Sequence, residues 1–156
     1  MSDAAANQPV IYSSLFRHGL DSKRRLQIPA KWRPTSEEFQ FTLILWPNGE
    51  GVGPCVMVLP PELVLELVTK LKTLPFADPQ AQTLRRLLGR DSSQVTMDKA
   101  GRICLPDEMA KAAGITGDTA VLTGLLDRFQ IWSPESYDQV EAHDKALKSE
   151  AFKLIS

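Results

Sequence analysis

Apolar residues are densest over residues 39–46, Phe-Gln-Phe-Thr-Leu-Ile-Leu-Trp, and residues 55–59, Cys-Val-Met-Val-Leu. Bulky and β-branched side chains at this density predict two strands. The segment Asn48-Gly49-Glu50-Gly51-Val52-Gly53 between them predicts the turn of a hairpin. Pro61 then opens a helix on which Leu63, Leu67 and Leu71, flanked by Val64 and Val68, form one apolar stripe. The same order is predicted downstream, with strands over residues 119–123 and 129–132 and a helix from Pro134. Between the two sets lies a connecting helix over residues 78–90. Asp78 serves as its N-cap, Pro79 suits its first turn, and Gly89 marks its end.

Self-similarity accounts for this repetition. Asp21-Ser-Lys-Arg-Arg25-Leu-Gln-Ile-Pro29 matches Asp98-Lys-Ala-Gly-Arg102-Ile-Cys-Leu-Pro106 at an offset of 77 residues, and Val58-Leu-Pro-Pro61-Glu62 matches Ile131-Trp-Ser-Pro134-Glu135 at an offset of 73. The first copy therefore carries about four extra residues, which fall in its glycine-rich turn, where an insertion disturbs no packing. Each copy reads as a short strand, a polar turn at the Asp, a strand ending at Pro, a brief helix, a hairpin and a terminal helix, in the order ββαββα. The predicted organisation is a flexible N-terminal extension over residues 1–11, a first half over 12–77, the connecting helix over 78–90, and a second half with its C-terminal helix over 91–156. Halves this small would leave sheet edges and helix stripes uncovered, so they are expected to interlock. Their outer helices would cover neighbouring copies in a closed ring.

A hydrophobic fraction of 43% over 156 residues supports a packed core, and 11 prolines with 9 glycines favour short elements joined by tight turns. A β-rich α+β fold is expected. The net charge of −1 supplies no general attraction to nucleic acid, so its distribution matters. Residues 17–33 hold six basic side chains against Asp21 alone, while residues 135–150 hold five acidic side chains against two lysines. Cys55 and Cys104 lie far apart in apolar stretches and read as reduced core thiols rather than metal ligands or a disulfide. The N-terminus lacks the basic start and apolar stretch of a secretory signal, and no run approaches the roughly 20 apolar residues that cross a bilayer. A cytoplasmic protein with no membrane association is expected.

Two long motif copies carry a resemblance to a known family. They are His18-x-Leu20-Asp21-Ser-Lys-x-Arg25-Leu-x-Ile-Pro29-Ala-Lys-Trp-Arg33 and Met97-Asp98-Lys-Ala-Gly101-Arg102-Ile-x-Leu-Pro106, the second followed by Ala113-Gly114-Ile115 and Ile131-Trp132. Over nearly its whole length the chain resembles the MraZ family of bacterial transcriptional regulators. The resemblance implies tandem AbrB-like swapped-hairpin halves forming a pseudo-two-fold double-ψ-type barrel with packed helices. It further implies a nucleoid-associated ring homo-oligomer that binds double-stranded DNA. Its targets would be G-rich direct repeats in its own promoter, ahead of the division and cell-wall gene cluster. Carried across by position, Arg25 and Arg102 are the principal DNA contacts, Asp21 and Asp98 shape the turns, and Lys23, Arg24 and Lys99 bind phosphate. Arg24 stands where the family usually has Gly, a residue that tolerates positive φ far better, so the first loop is expected to be reshaped. The usual Phe-x-Gly opening is replaced by Tyr12-Ser13-Ser14.

The chemistry suits these residue types. An Arg guanidinium presents a planar fork that fits guanine O6 and N7 together. An Asp four residues earlier can accept from turn amides and restrain the Arg, lowering the ordering cost of binding. One such pair alone would read as a surface ion pair of roughly 0–1 kcal/mol; repetition beside extra basic residues favours DNA contact. A single pair of loops would bind weakly, and a ring engaging successive repeats would add effective concentration. No catalytic residue, metal, cofactor or small-molecule substrate is expected. His18 and His143 lack ligand partners, Ser22 lacks a base, and Glu37-Glu38 and Asp107-Glu108 read as solvated or helix-start charges. Trp32, Trp46 and Trp132 read as core or subunit-interface aromatics, and the glycines at 49, 51 and 53 precede a strand rather than a phosphate-binding helix. The competing reading is an AbrB-like protein-binding module or antitoxin.

Overall fold

A computed structural model of the chain describes residues 10–49 and 51–156; residues 1–9, most of the expected N-terminal extension, and Glu50 lie outside the described residues. The first copy forms β1 (Leu15–Gly19), β2 (Arg25–Gln27), a 3-10 turn (Ala30–Trp32), β3 (Gln40–Trp46), β4 (Cys55–Leu59) and helix α1 (Pro61–Lys72). Helix α2 (Pro79–Arg90) connects it to β5 (Ser92–Thr96), β6 (Arg102–Cys104), α3 (Asp107–Ala112), β7 (Thr119–Gly124), β8 (Phe129–Trp132) and α4 (Pro134–Phe152). Prolines open α1, α2 and α4, where a missing N–H costs nothing. Asp78 caps α2 by accepting from the Gln80 amide, and Ser133 caps α4 by accepting from the Ser136 amide. Gly89 does not stop α2, which runs on to Arg90.

Six antiparallel strands form one sheet in the order β1-β7-β8-β4-β3-β5, and β2 pairs with β6 in a separate two-stranded ribbon. The opening strand of each copy pairs with the other copy's hairpin: Leu15 lies opposite Thr123, and Thr96 opposite Gln40. Exchanging the copies and reading the order backwards leaves it unchanged. The expected closed barrel is not formed. The sheet is open, because β1 and β5 end it without pairing to each other. The remaining strands, β2 and β6, are three residues long, stop short of Pro29 and Pro106, and spend their hydrogen bonds on one another.

Alternation along the strands divides their side chains between two buried faces. Phe41, Leu43, Val56, Val58, Leu122, Phe129 and Ile131 face the main core, which the ribbon closes with Leu26, Ile28, Ile103 and Leu105. Trp32 is wholly buried there, its ring centroid 4.8 Å from Phe129 and 5.2 Å from Phe16, and its indole N–H donates to the Ser13 carbonyl. On the opposite face, Ile44, Met57 and Leu59 meet Leu63, Val64 and Leu67 of α1 and Leu88 of α2, while Cys55, Val121 and Trp132 meet Tyr137 and Val140 of α4. The predicted α1 stripe packs only in part, for Val68 remains exposed. Among the described residues, no helix is long and apolar enough to cross a membrane.

Candidate nucleic-acid interface

Each repeated turn is built around its Asp. In the first, one carboxylate oxygen of Asp21 accepts from the amides of Lys23 and Arg25, both at 2.9 Å, while the Asp21 carbonyl accepts from the Arg24 amide at 3.0 Å. In the second, Asp98 accepts from the amides of Ala100 at 3.0 Å and Arg102 at 2.9 Å, and its carbonyl accepts from the Gly101 amide at 3.0 Å. A short acidic side chain is the right length for this, since it reaches amides two and four residues on without distorting the loop. The residue before each Arg lies in the left-handed region, Arg24 at φ 60° and Gly101 at φ 82°. The expected reshaping of the first loop is therefore absent: Arg24 adopts the conformation that glycine holds in the second.

The second carboxylate oxygen of each Asp aims the neighbouring guanidinium. Arg25 donates through Nε to Asp21 at 2.6 Å, and Arg102 donates through Nε to Asp98 at 3.0 Å, with its Nη2 at 3.0 Å from the same carboxylate oxygen. Arg102 also reaches across, placing Nη1 3.7 Å from Asp21. The two turns thus form one cluster, with the Arg25 and Arg102 side chains still 36% and 31% exposed. The Arg25 amide, helped by its guanidinium and the Lys23 amide, holds the Asp21 carboxyl below the usual carboxylate range. The Arg102 amide and guanidinium act likewise on Asp98.

The ribbon clamps each turn from the opposite copy. Ile28 donates its amide to the Gly101 carbonyl at 2.8 Å, and Leu105 donates to the Arg24 carbonyl at 2.9 Å. The Gln27 amide group donates to the Ala100 carbonyl at 2.8 Å, and the Cys104 thiol to the Lys23 carbonyl at 3.3 Å. Gln27 and Cys104 are equivalent in the repeat, and neither is a sequence-predicted site residue. Aligning the copies marks the pair as related, but only the pairing of β2 with β6 shows what each one holds. Cys104 is exposed, whereas the expected core thiol is found only at Cys55.

Lys23 and Lys99 are exposed beside the cluster. Arg24 turns away, donating to the carbonyls of Gly117 at 3.0 Å and Thr116 at 3.4 Å, with Asp107 at 3.9 Å. Its guanidinium is engaged with the second copy, and the side chain remains 24% exposed. Elsewhere, Trp32 and Trp132 are buried and Trp46 half-buried, and the glycine-rich segment lies between β3 and β4. Among the described residues, no group of three or more His, Cys, Asp or Glu side chains could hold a metal ion.

Comparison with known proteins adds an independent line. A family model described as "MraZ protein, putative antitoxin-like" matches residues 89–153. A protein of Desulforamulus reducens named transcriptional regulator MraZ is 33% identical over 132 residues, covering 84% of this chain and 87% of its own length. Proteins of the same name from Thermomicrobium roseum and Herpetosiphon aurantiacus are 34% and 36% identical. They cover 78% and 80% of this chain, and 81% and 82% of their own lengths.

Proposed function

The chain belongs to the MraZ family, and from that premise we propose that it is a sequence-specific, double-stranded-DNA-binding transcriptional regulator. Its sites would be G-rich direct repeats in its own promoter, ahead of the division and cell-wall gene cluster. The observation that carries this reading is the joining of two repeated turns through the Arg102 to Asp21 contact at 3.7 Å, with both arginines half-exposed on one surface. Each guanidinium keeps donors to spare after meeting its Asp, and a restrained fork of that kind suits the two acceptors of guanine in the major groove. Lys23 and Lys99 stand beside the pair as phosphate contacts that set register without reading sequence. Arg24 in this scheme ties the first turn to the second copy.

The organisation in two halves, residues 12–77 and 91–156 joined at 78–90, belongs to the same proposal. So do a ring of identical copies and residence on the nucleoid in the cytoplasm. Assembly answers a physical need, since one cluster neutralises few phosphates in a chain of net charge −1. Exposed Leu65, Phe76, Leu84 and Leu87 on and between α1 and α2, with Phe152, Leu154 and Ile155 at the C-terminus, offer apolar surface for neighbouring copies.

Selection of bound sequences from random duplex DNA, alongside the mass of the protein in solution, tests the reading. Spaced G-rich repeats should be enriched by a species of several chains, and an Arg25→Ala, Arg102→Ala variant should lose the preference. No enrichment, or unchanged binding by the variant, would overturn the mechanism. The antitoxin-like description of the family model supports one alternative, a module that neutralises a partner enzyme. Absence of any DNA preference would favour it.

A further inference from the structure

The two turns differ in how their positive charge is supplied. The first carries Lys23 and Arg24 at positions where the second has Ala100 and Gly101. Gly101 is not left bare. A Cβ built there would lie 2.5 Å from Cζ, 2.6 Å from Nε and 2.8 Å from Nη1 of Arg33, so this guanidinium from the first copy rests directly on the glycine. It is fastened by the backbone of Ile28, whose carbonyl accepts from Arg33 Nε at 2.9 Å and whose amide donates to the Gly101 carbonyl at 2.8 Å. Nη1 and Nη2 of Arg33 donate to no protein group, and no carboxylate pairs with the side chain, among the described residues. Arg33 is half-exposed. Arg24 has the opposite fate, its donors taken by two carbonyls and its charge faced by Asp107. The turn with fewer basic residues of its own, Lys99 and Arg102 against Lys23, Arg24 and Arg25, therefore gains an unneutralised guanidinium from the first copy, while one guanidinium of the richer turn is engaged with the second copy.

We propose that Arg33 is a backbone-phosphate contact of the second turn, and that Gly101 is needed there because any side chain would displace the guanidinium. This rests on the DNA-binding reading above and adds to it. The second turn, with Arg33 and exposed Lys99 flanking Arg102, becomes the stronger anchor on the DNA backbone. A planar fork held at one end and open at the other suits a phosphate, whose oxygens accept two parallel N–H donors. Because every nucleotide carries a phosphate, the contact adds affinity without choosing sequence.

The test compares binding of a G-rich direct-repeat duplex and a scrambled duplex of the same length across a series of salt concentrations. Arg33→Gln removes the charge while keeping a donor for the Ile28 carbonyl, and Arg33→Lys keeps the charge; thermal melts confirm that both fold. Losing one phosphate contact should make the slope of log affinity against log salt shallower by about 0.9 for each subunit engaged. The Gln variant should show that change on both duplexes, and the Lys variant should recover most of it. Arg102→Ala, by contrast, should lose the discrimination between the duplexes. If Arg33→Gln leaves the salt slope unchanged while Arg102→Ala abolishes preference, the Arg33 contact is refuted and DNA recognition stands. If the unaltered protein binds neither duplex, both fall.

Discussion

Asp21 and Asp98 each satisfy two backbone amides and a guanidinium with a single carboxylate, so the order of both turns depends on ionisation. Both groups titrate lower in the folded chain than the ordinary carboxylate value of about 4. A depressed value means that the unfolded chain takes up protons first as pH falls. The contribution is complete above the ordinary value and is lost as pH drops through the lowered one. Melting temperature should accordingly hold steady from pH 7 to 5 and decline below about pH 4. An Asp21→Asn, Asp98→Asn variant should show a weaker decline over the same interval, and an identical acid limb in the variant would place the lost stability elsewhere. The Asp and Arg partnership was readable from the four-residue spacing. The engagement of Arg24 with Thr116 and Gly117 was not, because more than ninety residues separate the partners along the chain.

Gly124 shows how closely the elements are fitted. It ends β7 where the chain before β1 crosses it, and a Cβ there would overlap the carbonyl of Tyr12. On either side, Tyr12 and Leu126 exchange backbone hydrogen bonds of 2.8 Å, and the Gly124 amide donates to the Ser14 carbonyl at 3.0 Å. Gly124→Ala should force this segment outward and cost roughly 1–3 kcal/mol, the usual range for overpacking. Chemical denaturation will read that as a lowered midpoint, and an unshifted midpoint would mean that the crossing yields freely. Hairpin strands and proline-opened helices were legible from local composition and period. The length of the 3-10 turn and the open sheet were not. Both depend on where β2 and β6 run out of partners, and periodicity does not encode that.

Across the whole molecule, burial on both faces of the sheet perturbs two distant acids in the same direction. Burial pushes the Tyr12 hydroxyl, in the main core, up to about 12, with the charge of Glu62 adding to the effect. Burial likewise pushes the Cys55 thiol, beneath α4, up to about 11. For each, the neutral form is favoured by folding, so the stability is complete below the ordinary value, about 8.5 for Cys and 10 for Tyr, and is lost as pH rises through the folded one. Stability should stay level from pH 7 to about 8.5 and then fall towards pH 12. Cys55→Ala should flatten the earlier part of the fall while Tyr12→Phe flattens the later, and an alkaline limb insensitive to both would assign it to other groups.

The amino-acid sequence by itself determined the repeat, the strand and helix periods, the β-rich α+β class and the Asp-x-x-x-Arg turns, because each depends on residues close together or on a pattern visible within one copy. Only the tertiary structure decided that Arg102 lies beside Asp21, that Gln27 and Cys104 clamp opposite turns, and that Arg33 rests on Gly101 while Arg24 bonds to the second copy. Those outcomes follow from the antiparallel pairing of two three-residue strands. That pairing joins residues 75 to 79 positions apart and is settled by long-range packing over one shared core.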